Sequence, residues 1–111
     1  MAKQPKITKI VIVTGGAGFI GSILVDVLVA QGHQVIVLDN MMTGKKSQVN
    51  KKAKLVKADI CDLSKIKSHF KGIDWGFHLA AIARIQPSIK EPVPTMRDNV
   101  MGTLNVLLAA R

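Results

Sequence analysis

The sequence predicts an α/β fold, a parallel sheet of about four strands with helices on both faces. Three observations carry this. Short apolar, β-branched runs alternate with helix-period segments four times along the chain. A glycine-rich turn joins the first such run to the first helical segment. Finally, 111 residues, 48% of them hydrophobic, suit one domain with its own core. Together with a mean hydropathy of +0.26, this composition excludes a disordered or low-complexity chain.

The first strand is read over Ile7 to Val13, a run apolar enough to be buried on both faces. Thr14-Gly15-Gly16-Ala17-Gly18 breaks it. Phe19 to Gln31 then reads as a helix, with Ile20, Ile23, Leu24, Val27 and Leu28 at i, i+3, i+4 spacing and Gly32 as its stop. A second strand runs from Gln34 to Leu38 and meets Asp39-Asn40. Met41 to Lys52 is polar and basic, a loop with a short helix. Lys54 to Ala58 is the third strand. Leu63 to Phe70 reads as a helix, N-capped by Asp62 and stopped by Gly72. Asp74 to Leu79 is the fourth strand. A long connection, Ala80 to Pro94, carries Pro87, Pro92 and Pro94, and the last helix runs from about Thr95 to the end.

Charge and cysteine usage narrow the function. Lys plus Arg is 16 and Asp plus Glu is 7, so the net charge is +9, and nine lysines fall between Lys45 and Lys71. A basic run of this kind can mark a nucleic-acid surface. Here the lysines are not interleaved with aromatics and no nucleic-acid-binding signature is present, which favours a solvated face. Cys61 stands alone, so no intramolecular disulfide forms and a reducing compartment is expected. Lys3, Lys6 and Lys9 before an apolar stretch resemble a signal peptide. However, Gly15, Gly16, Gly18, Gly21 and Asp26 interrupt the stretch, so the expectation is a cytoplasmic protein without a membrane span. His33, His69 and His78 lack metal-ligand spacing, and no metal is expected.

The glycine turn carries the most specific signal. Gly16, Gly18 and Gly21 fit G-x-G-x-x-G, and Gly15, Gly18 and Gly21 fit G-x-x-G-x-x-G. Between a strand and a helix, such glycines allow a tight turn, close approach of the backbone to a pyrophosphate, and close helix–strand packing. Amides at the helix N-terminus then favour the phosphates. A P-loop is rejected, because Ser22 stands where its lysine must be. Asp39 closes the second strand 18 residues after Gly21. A carboxylate there accepts hydrogen bonds from ribose hydroxyls and repels a 2′-phosphate by up to about 4 kcal/mol at contact. NAD is therefore favoured over NADP, with Lys45 and Lys46 as the residues that could offset the repulsion.

Five segments then show a resemblance: TGGAGFIGS (Thr14 to Ser22), Asp39-Asn40 with Thr43-Gly44, Ala58-Asp59-Ile60, His78-Leu79-Ala80-Ala81, and Asn99 to Leu107. With these, the sequence resembles the extended short-chain dehydrogenase/reductase family from about Ile7 to Arg111, in particular its nucleotide-sugar epimerases and dehydratases. The resemblance implies a Rossmann-type sheet of order 3-2-1-4 and NAD as cofactor. It implies that Gly15, Gly18 and Gly21 form the pyrophosphate turn, lined by Phe19 and Ile20. Asp39 and Asn40 would hold the adenosine ribose, with Thr43 and Gly44 nearby. Asp59 and Ile60 would contact the adenine, the aspartate by a hydrogen bond to its amino group. Leu79, Ala80, Ala81 and Ile82 would run past the middle of the cofactor, and Asn99 would act from the last helix as a structural or cofactor-side hydrogen bonder. Each has a plainer alternative: Asp59 could cap the turn after the third strand, Asn99 could satisfy buried backbone, and His78 reads better as a core histidine than a catalytic one. Cys61 is read as incidental, and Ser88 as no nucleophile.

The family's chemistry, as the resemblance implies it, passes a hydride to NAD and back, assisted by a Ser or Thr and a Tyr-x-x-x-Lys pair. This sequence contains no tyrosine, so no catalytic residue is assigned. Residues 1–111 are expected to be the NAD-binding region, inactive alone, with the catalytic and nucleotide-sugar part absent. Epimerase, dehydratase and reductase remain open, as does a non-catalytic dinucleotide-sensing module. The last helix is apolar on more than one side, with Val100, Leu104 and Leu107 on one face and Met101 and Leu108 on the next. Self-association through that helix or through an exposed fourth strand is therefore expected.

Overall fold

Four short parallel strands form the sheet, in the order β3-β2-β1-β4. The computed structural model describes residues 7–81, 89–90 and 92–111. The strands are β1 (Ile10–Thr14), β2 (Gln34–Asp39), β3 (Lys54–Lys57) and β4 (Trp75–His78). Helix α1 spans Phe19–Ala30 and α2 spans Leu63–Ile66. The C-terminal helical segment is α3 (Pro92–Met96), a π turn (Arg97–Met101) and α4 (Gly102–Ala110).

The period-2 pattern of β1 and β2 sets the two layers. Val11, Val13, Val35 and Val37 point to one face and pack with Val25 and Leu28 of α1. Ile12 and Leu38 point to the other, joining Ile60, Ile66, Phe70 and Val106 from the α2 region and α4. Helices thus cover both faces, as the sequence predicts. Asn105 is the polar member of the second layer. Its side chain is buried and donates to the Ile60 carbonyl at 2.9 Å, which joins α4 to the turn after β3.

Several boundaries differ from the sequence reading. β1 starts at Ile10 rather than Ile7, because its pairing with β2 begins at Ile10↔Gln34 and Ile7 is exposed. The helix read over Leu63 to Phe70 is α-helical only to Ile66 and continues as a 3-10 turn over Lys67–Phe70. Asp62 stands at its N-cap position without capping it by its side chain. Its carboxylate instead accepts from Ser64 Oγ at 2.6 Å, which holds its pKa below the ordinary carboxylate value. The last helix begins before Thr95, since Pro92 and Pro94 fit a first turn whose N–H groups have no partner in any case. β4 covers Trp75–His78 rather than Asp74 to Leu79, and it lies at the sheet edge with Trp75, Gly76 and Phe77 exposed, as expected. No helix among the described residues is long and apolar enough to cross a membrane.

Candidate dinucleotide site

In a parallel sheet of this kind ligands bind beyond the carboxyl ends of the strands. Here β1, β2 and β3 end side by side at Thr14, Asp39 and Lys57. The glycine turn leaves β1 with Gly15 at φ +71°, a left-handed conformation that favours glycine. The Gly15 N–H donates to the Leu38 carbonyl at 2.8 Å and its own carbonyl accepts from Gly18 N–H at 3.1 Å. A Cβ at Gly15 would strike the Ala80 backbone at 2.8 Å, and one at Gly21 would overlap the Gly15 carbonyl oxygen. Both glycines are needed by the protein itself. Gly18 differs: its φ of −82° suits any residue, and a Cβ there would meet only the Gly15 carbonyl oxygen at 3.3 Å. Glycine at this position leaves a cradle that a ligand can use. Phe19 and Ile20 follow it, 78% and 70% exposed, at the start of α1, where the first amides have no intrahelical acceptor.

Asp39 links this turn to the end of β2. One carboxylate oxygen accepts from Ala17 N–H at 3.1 Å, the other from Met41 N–H at 2.8 Å. Each oxygen retains a second acceptor position. Met41 takes φ +64°, an uncommon conformation for a non-glycine residue, directly beside the carboxylate. Asn40 accepts from Met42 N–H at 3.0 Å. Thr43 is exposed, and Gly44 lies so close to Ala17 that a Cβ there would come within 2.6 Å of the alanine methyl. The loop after β2 therefore closes onto the glycine turn.

Asp59 follows β3 and is doubly engaged. It accepts from Cys61 N–H at 2.8 Å, which is the turn-capping role, and pairs with Arg97 Nη2 at 3.1 Å. The Ile60 side chain is buried beneath Gly102, which leaves its backbone, not its side chain, for a ligand. Cys61 is not incidental to the fold: its thiol donates to Asp98 at 3.3 Å. Burial, reinforced by Asp98 and Asp59, pushes that thiol up to about 12, so it is protonated at neutral pH. Asp59, Cys61 and Asp98 place one ligand atom each within 4.8 Å of one another. A protonated thiol and an aspartate already paired with Arg97 make a poor donor set for a metal.

Beyond β4, Leu79 and Ala80 are held by a residue that sequence patterning did not single out. Thr14 Oγ1 accepts from Leu79 N–H at 3.0 Å and from Ala80 N–H at 3.2 Å. The same oxygen lies 2.6 Å from His78 Nδ1, and His78 Nε2 lies 2.9 Å from Thr103 Oγ1. Thr103 donates its hydroxyl proton to the Asn99 carbonyl at 2.7 Å. The proton count then assigns the roles. Nε2–H donates to Thr103, and Nδ1 accepts from Thr14. His78 is thus neutral, in one tautomer, bridging β1, β4 and α4, and burial lowers its pKa below the ordinary 6.5. This is the core role expected for it. Asn99 sits half-buried in the π turn, Ala81 is exposed, and Ile82 and Ser88 lie outside the described residues.

A protonated His78 would have to donate to a Thr14 oxygen already accepting two N–H groups. Since its folded-state pKa lies below its unfolded value, its neutral form stabilises the fold fully above pH 6.5. That stabilisation is lost as the pH falls below 6.5 toward the folded-state value. Urea midpoints should therefore drop between pH 7.5 and 5.5, and drop less in His78→Gln; equal drops in both chains would refute the network.

Comparison with known proteins agrees with this geometry. The model of the NAD dependent epimerase/dehydratase family matches residues 11–111. A UDP-glucose 4-epimerase of Lactobacillus helveticus is 42% identical over 102 residues, covering 89% of this chain and 31% of that protein. UDP-glucuronic acid decarboxylase 1 of Arabidopsis thaliana is 40% identical over 106 residues, covering 91% and 23%. Among solved structures, the Thermotoga maritima UDP-glucose 4-epimerase with UDP-glucose superposes with TM-score 0.88 at 38% identity, covering 91% of this chain and 33% of that one. The Thermus thermophilus UDP-glucose 4-epimerase in complex with NAD gives TM-score 0.85 at 40% identity, covering 90% and 33%. The chain thus spans a third or less of the length of these relatives. A glycine turn tied to a carboxylate across two adjacent strands, the β3-β2-β1-β4 order and a family match over residues 11–111 lead to one conclusion: the chain belongs to the NAD dependent epimerase/dehydratase family.

Proposed function

We propose that the chain binds NAD along the carboxyl ends of β1, β2 and β3. The observation that carries this is the hydrogen bond from Ala17 N–H to Asp39, which ties the glycine turn to a carboxylate with acceptor positions to spare. Neighbouring strands are about 4.8 Å apart. An extended dinucleotide crossing them would place its pyrophosphate at Gly18 and the α1 N-terminus, its adenosine ribose at Asp39 and its adenine at Asp59. The backbones of Asn40, Thr43, Gly44 and Ile60 would close around the adenosine, and Leu79 to Ile82, with Asn99, would flank the other half. Bound NAD would supply hydride transfer. This chain's residues bind and orient it; with no tyrosine, none is assigned as acid or base. The test is calorimetric titration with NAD and with NADP; absence of NAD binding by the folded chain sinks the reading.

The UDP-glucose epimerases and the UDP-glucuronic acid decarboxylase among the longer relatives support a nucleotide-sugar substrate, engaged by residues beyond the matched third. An epimerase that oxidises a sugar hydroxyl and returns the hydride is the first reading. The decarboxylase match, of similar identity, keeps other NAD-dependent nucleotide-sugar chemistry as the second. Val93, Met96, Val100, Leu104 and Leu107 are exposed along the C-terminal helical segment. Such a stripe supports self-association. Sedimentation should show a dimer or larger that Val100→Glu with Leu104→Glu returns to monomer; a monomeric parent chain leaves the stripe and the β4 edge without that role.

A further inference from the structure

Arg97 belongs to no motif singled out in the sequence, yet it reaches the residue at which the adenine would end. It lies at the start of the π turn, 38 positions from Asp59 in the chain, and its Nη2 donates to Asp59 Oδ2 at 3.1 Å. The other oxygen, Oδ1, accepts from Cys61 N–H at 2.8 Å. The two contacts come from different elements and fix both the plane and the rotation of the carboxylate. Each oxygen has a second lone-pair position still available. The Arg97 and Asp59 side chains are 57% and 36% exposed, so the pair borders solvent and a ligand can reach it.

We infer that Arg97 is a positioning residue for base selection: it holds the Asp59 carboxylate in the orientation that accepts from the 6-amino group of adenine and rejects a 6-oxo purine. This rests on the NAD reading above. A carboxylate is acceptor-only when ionised. Facing an amino group it gains a hydrogen bond; facing a carbonyl oxygen it meets another acceptor and gains none. That contrast depends on the carboxylate pointing at the base edge. Without Arg97, Oδ2 loses its fixed donor and the carboxylate can turn about the remaining Cys61 contact, so the contrast between the two bases shrinks. Arg97 serves Asp59, while the Arg97 carbonyl and the Asp98 carboxylate take the Cys61 thiol at 3.5 and 3.3 Å. The turn after β3 is thereby held to the last helix through two of its residues, Asp59 and Cys61.

The experiment compares NAD with nicotinamide hypoxanthine dinucleotide, which differs only in carrying a 6-oxo group in place of the 6-amino group. Dissociation constants for both are measured on the parent 111-residue chain, Arg97→Met and Arg97→Lys. The parent should prefer NAD. Arg97→Met should narrow the preference about threefold, the scale of an exposed ion pair, and Arg97→Lys should restore part of it. A merely structural role would weaken both ligands equally. An unchanged ratio in Arg97→Met overturns the inference and leaves the NAD site standing. Failure of the parent to bind either dinucleotide overturns the NAD reading and the inference with it.

Discussion

Gly21→Ala is expected to lower the stability of the chain by about 3 kcal/mol or more, the upper range for forcing an extra carbon into a packed site. The methyl carbon would overlap the Gly15 carbonyl oxygen and lie 2.9 Å from both the Gly15 carbonyl carbon and the Gly16 Cα. All three are backbone atoms of a turn pinned by the Gly15-to-Leu38 and Gly18-to-Gly15 hydrogen bonds, so no side chain can swing aside. Relief requires lifting the first turn of α1 from β1, which loosens Val25 and Leu28 on the sheet. A domain of this size has roughly 5–15 kcal/mol in total, so the loss is large. Gly18→Ala provides the contrast. Its backbone conformation suits alanine and its methyl needs a shift of a few tenths of an ångström from one oxygen. Its stability should stay within about 1 kcal/mol of the parent, while NAD affinity falls tenfold or more because the methyl occupies the surface the pyrophosphate must approach. Urea unfolding and calorimetry on the two variants check both halves. Equal stability loss at both positions would remove the distinction between a glycine the fold needs and one the ligand needs.

That distinction also shows what the sequence made legible. Local signals were readable: the period-2 faces of β1 and β2, the glycine spacing, and a carboxylate at the end of β2 all reflect chemistry confined to short stretches. Asp39 is legible because strand-end position and side-chain type suffice to suggest it. Contacts set by the global fold were not readable. Thr14, His78 and Thr103 are joined across separations of 64 and 25 residues, and no periodicity connects them. Arg97 and Asp59 are 38 positions apart and meet only in the folded chain. The same limit explains Asp62: its residue type suits an N-cap, but Ser64 two positions on captures its carboxylate.

Asp39→Ala is expected to weaken NAD binding about a hundredfold and to leave NADP much less affected. Two hydrogen bonds to a charged acceptor are each worth roughly 1.5–3 kcal/mol when made without competition from water, and a hundredfold corresponds to about 2.7 kcal/mol. The carboxylate is already oriented by Ala17 and Met41, so ribose hydroxyls meet it without further ordering. In the parent chain a 2′-phosphate would face that charge, a repulsion of up to about 4 kcal/mol at 4 Å and an effective dielectric near 20. Alanine removes both the attraction for NAD and the repulsion against NADP, so the ratio between the cofactors should collapse toward one. Lys45 and Lys46 are exposed on the loop that Gly44 anchors against Ala17. Any residual NADP binding through them should therefore fade between low and high salt, as exposed charges do. The substitution also leaves the Ala17 and Met41 amides without their acceptor, at about 1–3 kcal/mol if they stay dry. The titration consequently belongs at a temperature where circular dichroism shows the variant folded. Undiminished NAD affinity in a folded Asp39→Ala chain would mean that the ribose does not reach β2, and that the carboxylate serves only to tie the glycine turn to the sheet.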